Sequence, residues 1–265
     1  MIKSTLILAA AAAVAATGAR AADLPMRVKA PYYQAPTIYS WTGFYAGANV
    51  GYRFDGDDNV NTEGQAAPNI ANIAGGARPG FVPLNRDGFV GGAQIGYNYQ
   101  IGQFVAGVEA DIDYLDSHDS NTVVTSQLNT GLPLANTFSS RLEYLGTVRG
   151  RVGYAYDRVL FYATGGFAYG QSDHSVNMLG ATSAGDLQFS GRNSQLKTGY
   201  AVGAGVEYAV TTNWTVRGEY LFYDLGSDTV DVAVIPGSGG AGTGYNSHYK
   251  DDGHILRVGF NYKIN

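Results

Sequence analysis

From Trp41 onward, apolar and polar residues alternate with a period of two in eight segments: 42–54, 88–100, 103–115, 143–155, 159–170, 197–209, 214–225 and 254–264. Side chains of a strand point to opposite faces in turn, so each segment is predicted to be a strand with one apolar face. The connections alternate as well. Those after the second, fourth and sixth segments are tight turns (Ile101-Gly102, Tyr156-Asp157-Arg158 and Val210 to Asn213), whereas the others run to 33, 27, 26 and 28 residues. Those stretches, 55–87, 116–142, 171–196 and 226–253, are rich in Gly, Ser, Asn and Asp and read as loops. Tight turns at one end and long loops at the other are the pattern of an outer-membrane barrel.

The charged residues fall on one face. Phe104, Ala106, Val108, Ala110, Ile112 and Tyr114 share one side of the third segment, and Glu109, Asp111 and Asp113 share the other. Parity places Arg53, Glu143, Arg149, Arg151, Lys197, Glu207, Arg217, Glu219, Arg257 and Lys263 on that second side too, with Asp224 the exception at a strand end. Seven of these thirteen are basic and six acidic, so they nearly cancel, as charges enclosed in a narrow lumen must. Two packed soluble sheets would give the same alternation. A membrane barrel is favoured by the cancellation and by Trp41, Phe104, Phe161, Tyr208, Trp214 and Tyr262, which lie near the short-turn ends where an aromatic girdle meets the lipid interface. The expected fold is therefore all-β, an antiparallel, up-and-down, eight-stranded transmembrane β-barrel with four long extracellular loops and three short periplasmic turns. Closure requires the first strand to pair with the last, because hydrocarbon tolerates no open sheet edge.

The start of the chain reads as a processing segment. Lys3, the short apolar run Leu6 to Ala16 and Ala19-Arg20-Ala21 suit a signal peptide over residues 1–21, cut before Ala22. Residues 22–40, with Pro25, Pro31 and Pro36, read as an extended, solvated periplasmic tail, and 41–265 as the barrel. Loss of Lys3 and Arg20 takes the basic count from 17 to 15 against 22 acidic residues, a net charge of −7. Such a chain is a poor nucleic-acid binder. There is no cysteine and no run of 18 apolar residues to form a membrane helix.

Several segments resemble the alpha-proteobacterial outer-membrane immunogenic protein family of small eight-stranded barrels: Trp41-Thr42-Gly43-Phe44-Tyr45-Ala46-Gly47-Ala48-Asn49-Val50-Gly51-Tyr52, Gly91-Gly92-Ala93-Gln94-Ile95-Gly96-Tyr97-Asn98-Tyr99-Gln100, Gly146-Thr147-Val148-Arg149-Gly150-Arg151-Val152-Gly153-Tyr154, and the mature start Ala22-Asp23-Leu24-Pro25. The resemblance covers the strands and not the loops. It implies an abundant envelope protein and surface antigen. It also implies a mature alanine, here Ala22, joined to peptidoglycan, and haemin binding in some members. The expected partners are outer-membrane lipid and lipopolysaccharide, peptidoglycan through Ala22, and the insertion machinery. The chain departs from the family's aromatic C-terminus by ending Tyr262-Lys263-Ile264-Asn265.

Other chemistry is sparse. Glu109-x-Asp111-x-Asp113 has the oxygen ligands for a divalent cation, but pairing with Arg149 and Arg151 on the next strand is the simpler reading, and no metal is assigned. His118, His174, His248 and His254 fall in or beside the predicted loops, and none has a spacing that singles it out as a haem ligand. Gly203-x-Gly205 lacks the third glycine of a dinucleotide site, so no cofactor is assigned. No catalytic motif is present, and the chain is not read as an enzyme. The sequence thus points to a structural envelope barrel. A small porin-like channel, and haemin or host-surface binding through the loops, are the alternatives.

Overall fold

The computed structural model describes residues 39–54, 59–180 and 186–264. The processing segment and all but the last two residues of the proposed tail, Ala22 included, lie outside the described residues. Among the described residues, ten strands and one helix follow in order: β1 (Gly43–Phe54), β2 (Asn59–Gly64), α1 (Ala67–Ala74), β3 (Phe81–Pro83), β4 (Gly88–Ile101), β5 (Phe104–Ser126), β6 (Pro133–Tyr156), β7 (Val159–Leu179), β8 (Leu187–Ala209), β9 (Trp214–Val234) and β10 (Gly244–Ile264). Eight of them pair antiparallel in sequence order, β1-β4-β5-β6-β7-β8-β9-β10, and β1 closes the ring on β10. Tyr45 stands opposite Lys263 and Tyr52 opposite Leu256 across that closing seam.

The tight turns follow from local geometry. Ile101 pairs with Phe104 around a two-residue turn whose first residue, Gly102, has φ 61°. Tyr156 pairs with Val159 around Asp157-Arg158, and Asp157 adopts φ 50°. Positive φ in two-residue hairpin turns is what glycine, asparagine and aspartate tolerate best.

The long loops are mostly absent, which corrects the composition-based reading. β5 and β6 run for 23 and 24 residues, against the roughly 9–11 that cross a membrane. The extracellular connections shrink to 127–132, 180–186 and 235–243. The extensions escape a hydropathy reading because their outward face is Ser, Thr and Asn rather than apolar, as in Ser120, Thr122 and Thr137. In water a strand needs only one buried face. The segment 55–87 is different again. β2 pairs with β10 above the end of β1, β3 pairs with β2, and Asn121 Nδ2 on β5 donates to the Pro83 carbonyl at 2.8 Å. This insert completes the extracellular wall, and α1 lies beside it.

Outside, the membrane zone is apolar. Phe89, Ile101, Phe104, Val152 and Phe161 are among its exposed side chains. Inside, apolar and polar layers alternate along the axis. From the extracellular end come an apolar chamber (Val60, Phe138, Met178, Phe189 and Tyr245 among others), a polar layer around Arg86 and Asp251, a second apolar layer (Leu115, Leu142, Leu145, Leu221, Tyr223 and Ile255), a charged layer, and an apolar floor at the turn end.

Candidate functional site: the filled lumen

The charged layer is assembled by strand parity. Glu109, Asp111 and Asp113 on β5 face Arg149 and Arg151 on β6, Glu207 on β8, Arg217 and Glu219 on β9 and Arg257 on β10, all buried. Arg149 is the hub. Its Nη2 donates to Glu109 Oε1 at 2.8 Å and Asp111 Oδ2 at 2.6 Å, its Nη1 to Glu219 Oε1 at 2.5 Å and Thr164 Oγ1 at 2.8 Å, and its Nε to Thr147 Oγ1 at 2.9 Å. Arg257 joins Asp113 at 2.6 Å, Glu219 at 3.1 Å and Asp111 at 3.3 Å. Arg217 pairs with Glu109 and stands 3.6 Å from Glu219. Buried ions persist only when paired and hydrogen-bonded, and five carboxylates against four guanidinium groups leave almost no net charge to desolvate.

Uncharged polar groups finish the network. Tyr45 Oη donates to Glu109 at 2.7 Å and Tyr162 Oη to Glu219 at 3.0 Å. Asn49 Nδ2 donates to Asp113 at 2.9 Å and Asn261 Nδ2 to Glu207 at 2.9 Å. A search for charge misses these residues. Their signal is present nonetheless, because Tyr45, Asn49 and Asn261 share the inward parity of the charged residues on their own strands.

Four of the thirteen predicted lumen residues lie outside this layer. Glu143 is the clearest correction. β6 carries an extra residue between Leu142 and Leu145, which turns Glu143 out of register, leaves its side chain 41% exposed and pairs it with Arg141 at 3.7 Å. Bulges of this kind re-aim a side chain in a way that strict parity cannot anticipate. Lys197 sits higher on the wall, where its Nζ donates to the Ser227 carbonyl at 2.9 Å and meets Asp228 at 3.4 Å. Lys263 lies at the turn-end rim, donating to the Ser40 carbonyl at 2.5 Å. Arg53 is buried in the upper polar layer and donates to Tyr223 Oη at 2.7 Å and the Arg86 carbonyl at 2.6 Å. The expected partnership of the β5 carboxylates with β6 also divides. Arg149 takes Glu109 and Asp111, whereas Arg151, two residues nearer the turn end, pairs across the lumen with Glu207 and lies 3.7 Å over the Tyr162 ring.

Trp41 is the second correction. Phe104, Phe161, Tyr208, Trp214 and Tyr262 are exposed on the outer wall near the turn end, but Trp41 is 3% exposed and points inward. Trp41 precedes β1, so the strand's alternation does not bind it. Its amide donates to Gln100 Oε1 at 2.8 Å and its indole Nε1 to the Asp157 carbonyl at 3.3 Å. With Tyr39 edge-on at 4.8 Å, it packs on Val105, Ala155, Leu160 and Ala209 as the floor. Tyr39 and Ser40, read as the end of a solvated tail, are thus part of the barrel.

Apart from Arg53, the charged members of the upper polar layer come from predicted loops, where strand parity gives no signal. Arg86 pairs with Asp251 at 2.7 Å, and His174 Nε2 lies 3.1 Å from the same carboxylate. Ser172 and Ser140 bond the two ring nitrogens of His174 at 2.9 and 3.0 Å. Burial would raise the Asp251 carboxyl, but the His174 hydrogen bond and the Arg86 charge hold it well below the usual carboxylate range. His174, read as a loop residue, instead lies on β7, 1% exposed and stacked on Tyr249 at 4.2 Å. Nearer the tip, Arg78 is buried against Phe189 and donates to the side-chain oxygens of Asn136 and Gln188, at 2.7 and 2.9 Å.

A closed ring with a lipid-facing apolar wall and a salt-bridged interior defines an outer-membrane β-barrel protein. The chain belongs to the outer membrane protein beta-barrel domain family, whose match spans residues 6–263. It is 34% identical to the 31 kDa outer-membrane immunogenic protein of Brucella melitensis over 98% of this chain and 99% of that one. It is 29% identical to the 25 kDa outer-membrane immunogenic protein of Brucella abortus over 99% of both. Among solved structures it is similar in fold to the outer membrane protein OprG of Pseudomonas aeruginosa, with a TM-score of 0.52 and 13% identity over 86% of this chain and 98% of that one. The protein resides in the outer membrane of a Gram-negative bacterium.

Proposed function

We propose that this protein is a closed structural barrel that stabilises the envelope and displays an extracellular antigenic surface, with no open pore of its own. The observation that carries this reading is the layered interior. An eight-stranded barrel is just wide enough for side chains. Here four guanidinium groups and their carboxylates occupy the middle, between apolar layers on both sides. The hollow remaining at the turn-end mouth, beside Trp41, Glu207 and Lys263, measures about 10 Å³, room for about one water. Refolded protein in planar bilayers is expected to give no steady conductance. Reproducible nanosiemens-scale channels from pure protein would sink this reading in favour of a small pore.

The proposal extends to a wall anchor. The Pro-spaced stretch from Ala22 would link peptidoglycan to a barrel whose floor, Tyr39 and Trp41, is the direct continuation of that stretch. Envelopes digested with lysozyme test the link. The protein should resist detergent extraction before digestion and leave with sugar fragments on Ala22 afterwards, whereas equal extraction in both states removes the anchor from the account.

A further inference from the structure

Above the membrane zone the outward face of the barrel is mostly Ser, Thr and Asn, with acidic groups such as Asp116 and Asp231 exposed among them. In one place arginines gather. His118 on β5, Arg141 on β6 and Arg192 on β8 surround a hollow of about 290 Å³ on the outside of the wall, with the carboxylates of Glu143 on β6 and Asp173 on β7 also in its lining. Arg141 and His118 are cross-strand partners, and so are Arg141 and Asp173. Directly below, on the same outward face, Tyr114 is paired with Tyr144, and the Tyr144 ring meets that of Tyr169 at 6.4 Å. Only Leu142 and Glu143 lie between Arg141 and Tyr144. The hollow therefore adjoins the upper end of this aromatic surface.

The two arginines are held by long ion pairs. Arg141 reaches Glu143, and Arg192 reaches Asp173, at 3.7 Å, with the arginine side chains 48% and 74% exposed. Ion pairs this loose and open contribute little. They hold the guanidinium groups over the hollow while leaving most of their N–H donors free. Planar forks of this kind bind phosphate oxygens in pairs, and the His118 imidazole stands at the rim beside them.

From this geometry we infer that the face formed by His118, Arg141 and Arg192 is a binding site for a headgroup phosphate of an outer-leaflet glycolipid, whose acyl chains lie on the Tyr114–Tyr144–Tyr169 surface. The site is continuous with the lipid-facing wall, and its two exposed guanidinium forks, only loosely paired with Glu143 and Asp173, can exchange those contacts for phosphate oxygens. Free phosphate would have no use for the aromatic surface below. The inference rests on the outer-membrane location and is independent of whether the lumen conducts or the chain is anchored.

The test uses the full mature chain, refolded in bilayers containing a bisphosphorylated outer-leaflet glycolipid, then exchanged into mild detergent and weighed by native mass spectrometry. The wild-type protein is expected to retain one glycolipid, and an Arg141→Gln/Arg192→Gln double variant to retain at least tenfold less. Lys250→Gln, a change of an exposed base on β10 outside the hollow, should retain as much as wild type. The same glycolipid stripped of its phosphates should not be retained by the wild type. Heat-modifiable migration reports that each variant is folded, and both arginines are exposed surface residues whose loss leaves the core intact. Equal retention by the double variant, equal retention of the dephosphorylated lipid, or no retention by the wild type would each overturn the inference.

Discussion

Arg149 and Glu109 stand directly opposite each other on β6 and β5, and their side chains meet inside the barrel at 2.8 Å with no exposure to solvent. Cross-strand register creates the pair, and closure of the ring then brings Glu219 to the other side of the same guanidinium group at 2.5 Å. Removing Arg149 leaves five buried carboxylates facing three guanidinium groups, Arg151, Arg217 and Arg257. Arg149→Leu is expected to destabilise the barrel by about 3–5 kcal/mol, read as a lower urea midpoint for unfolding from lipid vesicles. A midpoint equal to wild type would mean that the network contributes no stability.

The two tryptophans report the floor and the belt separately. Trp214 is 52% exposed on the lipid-facing wall, while Trp41 is enclosed. In bilayers of brominated lipid, wild-type fluorescence should be partly quenched, and the Trp214→Phe variant, with Trp41 as its sole tryptophan, should be insensitive. Quenching of that variant to the wild-type degree would put Trp41 back in the girdle.

The Arg86–Asp251 pair at 2.7 Å ties the end of the 55–87 insert to β10. Asp251→Asn should weaken that tie by about 1–3 kcal/mol. Hydrogen exchange should then accelerate across β2 and β3, with the transmembrane strands unchanged. The pH dependence has a defined sign. The folded carboxyl titrates below its unfolded value, so its contribution is complete above about pH 4 and is lost only as the pH falls further, toward the folded-state value. Loss of protection in the insert between pH 5 and 7 would contradict the assignment.

The wall has one weak seam among the described residues. β8 and β9 are in register from Tyr200 to Ala209 and again at Phe189 and Ser190, but the ladder is interrupted between Ser190 and Tyr200. Asn193 Nδ2 bridges to Asp228 at 2.8 Å across that interval, as Lys197 does at 3.4 Å. Amides of 191–199 that point toward β9 should exchange faster than those pointing toward β7, where the ladder is continuous. Uniform protection on both sides would show that the seam is closed in the membrane.

The strands of the membrane zone were legible because lipid imposes a hard rule on them. Phe104, Val108 and Ile112 must face hydrocarbon while Glu109 and Asp113 must not, so period-two parity is written strongly there. Outside the bilayer that rule lapses. Thr122 and Thr137 are as acceptable in a solvated strand as in a loop, so β5 and β6 were cut short where their outward residues turned polar. Parity also failed at single residues. The extra residue beside Leu145 sent Glu143 outward, and Trp41, lying before its strand, was free to turn in.

By itself, the sequence determined the ring, its orientation relative to lipid and the sign of each face, because these follow from local alternation and from the ban on open edges in hydrocarbon. Only the tertiary structure decided which inward charges meet. Arg149 and Glu219 lie 70 residues apart, Arg53 and Tyr223 170 apart, and nothing local couples either pair. The same holds for the polar layer of Arg86, His174 and Asp251. Its members come from three separate stretches, and it forms because the closed wall brings them to one height, where each satisfies a buried partner that water no longer reaches.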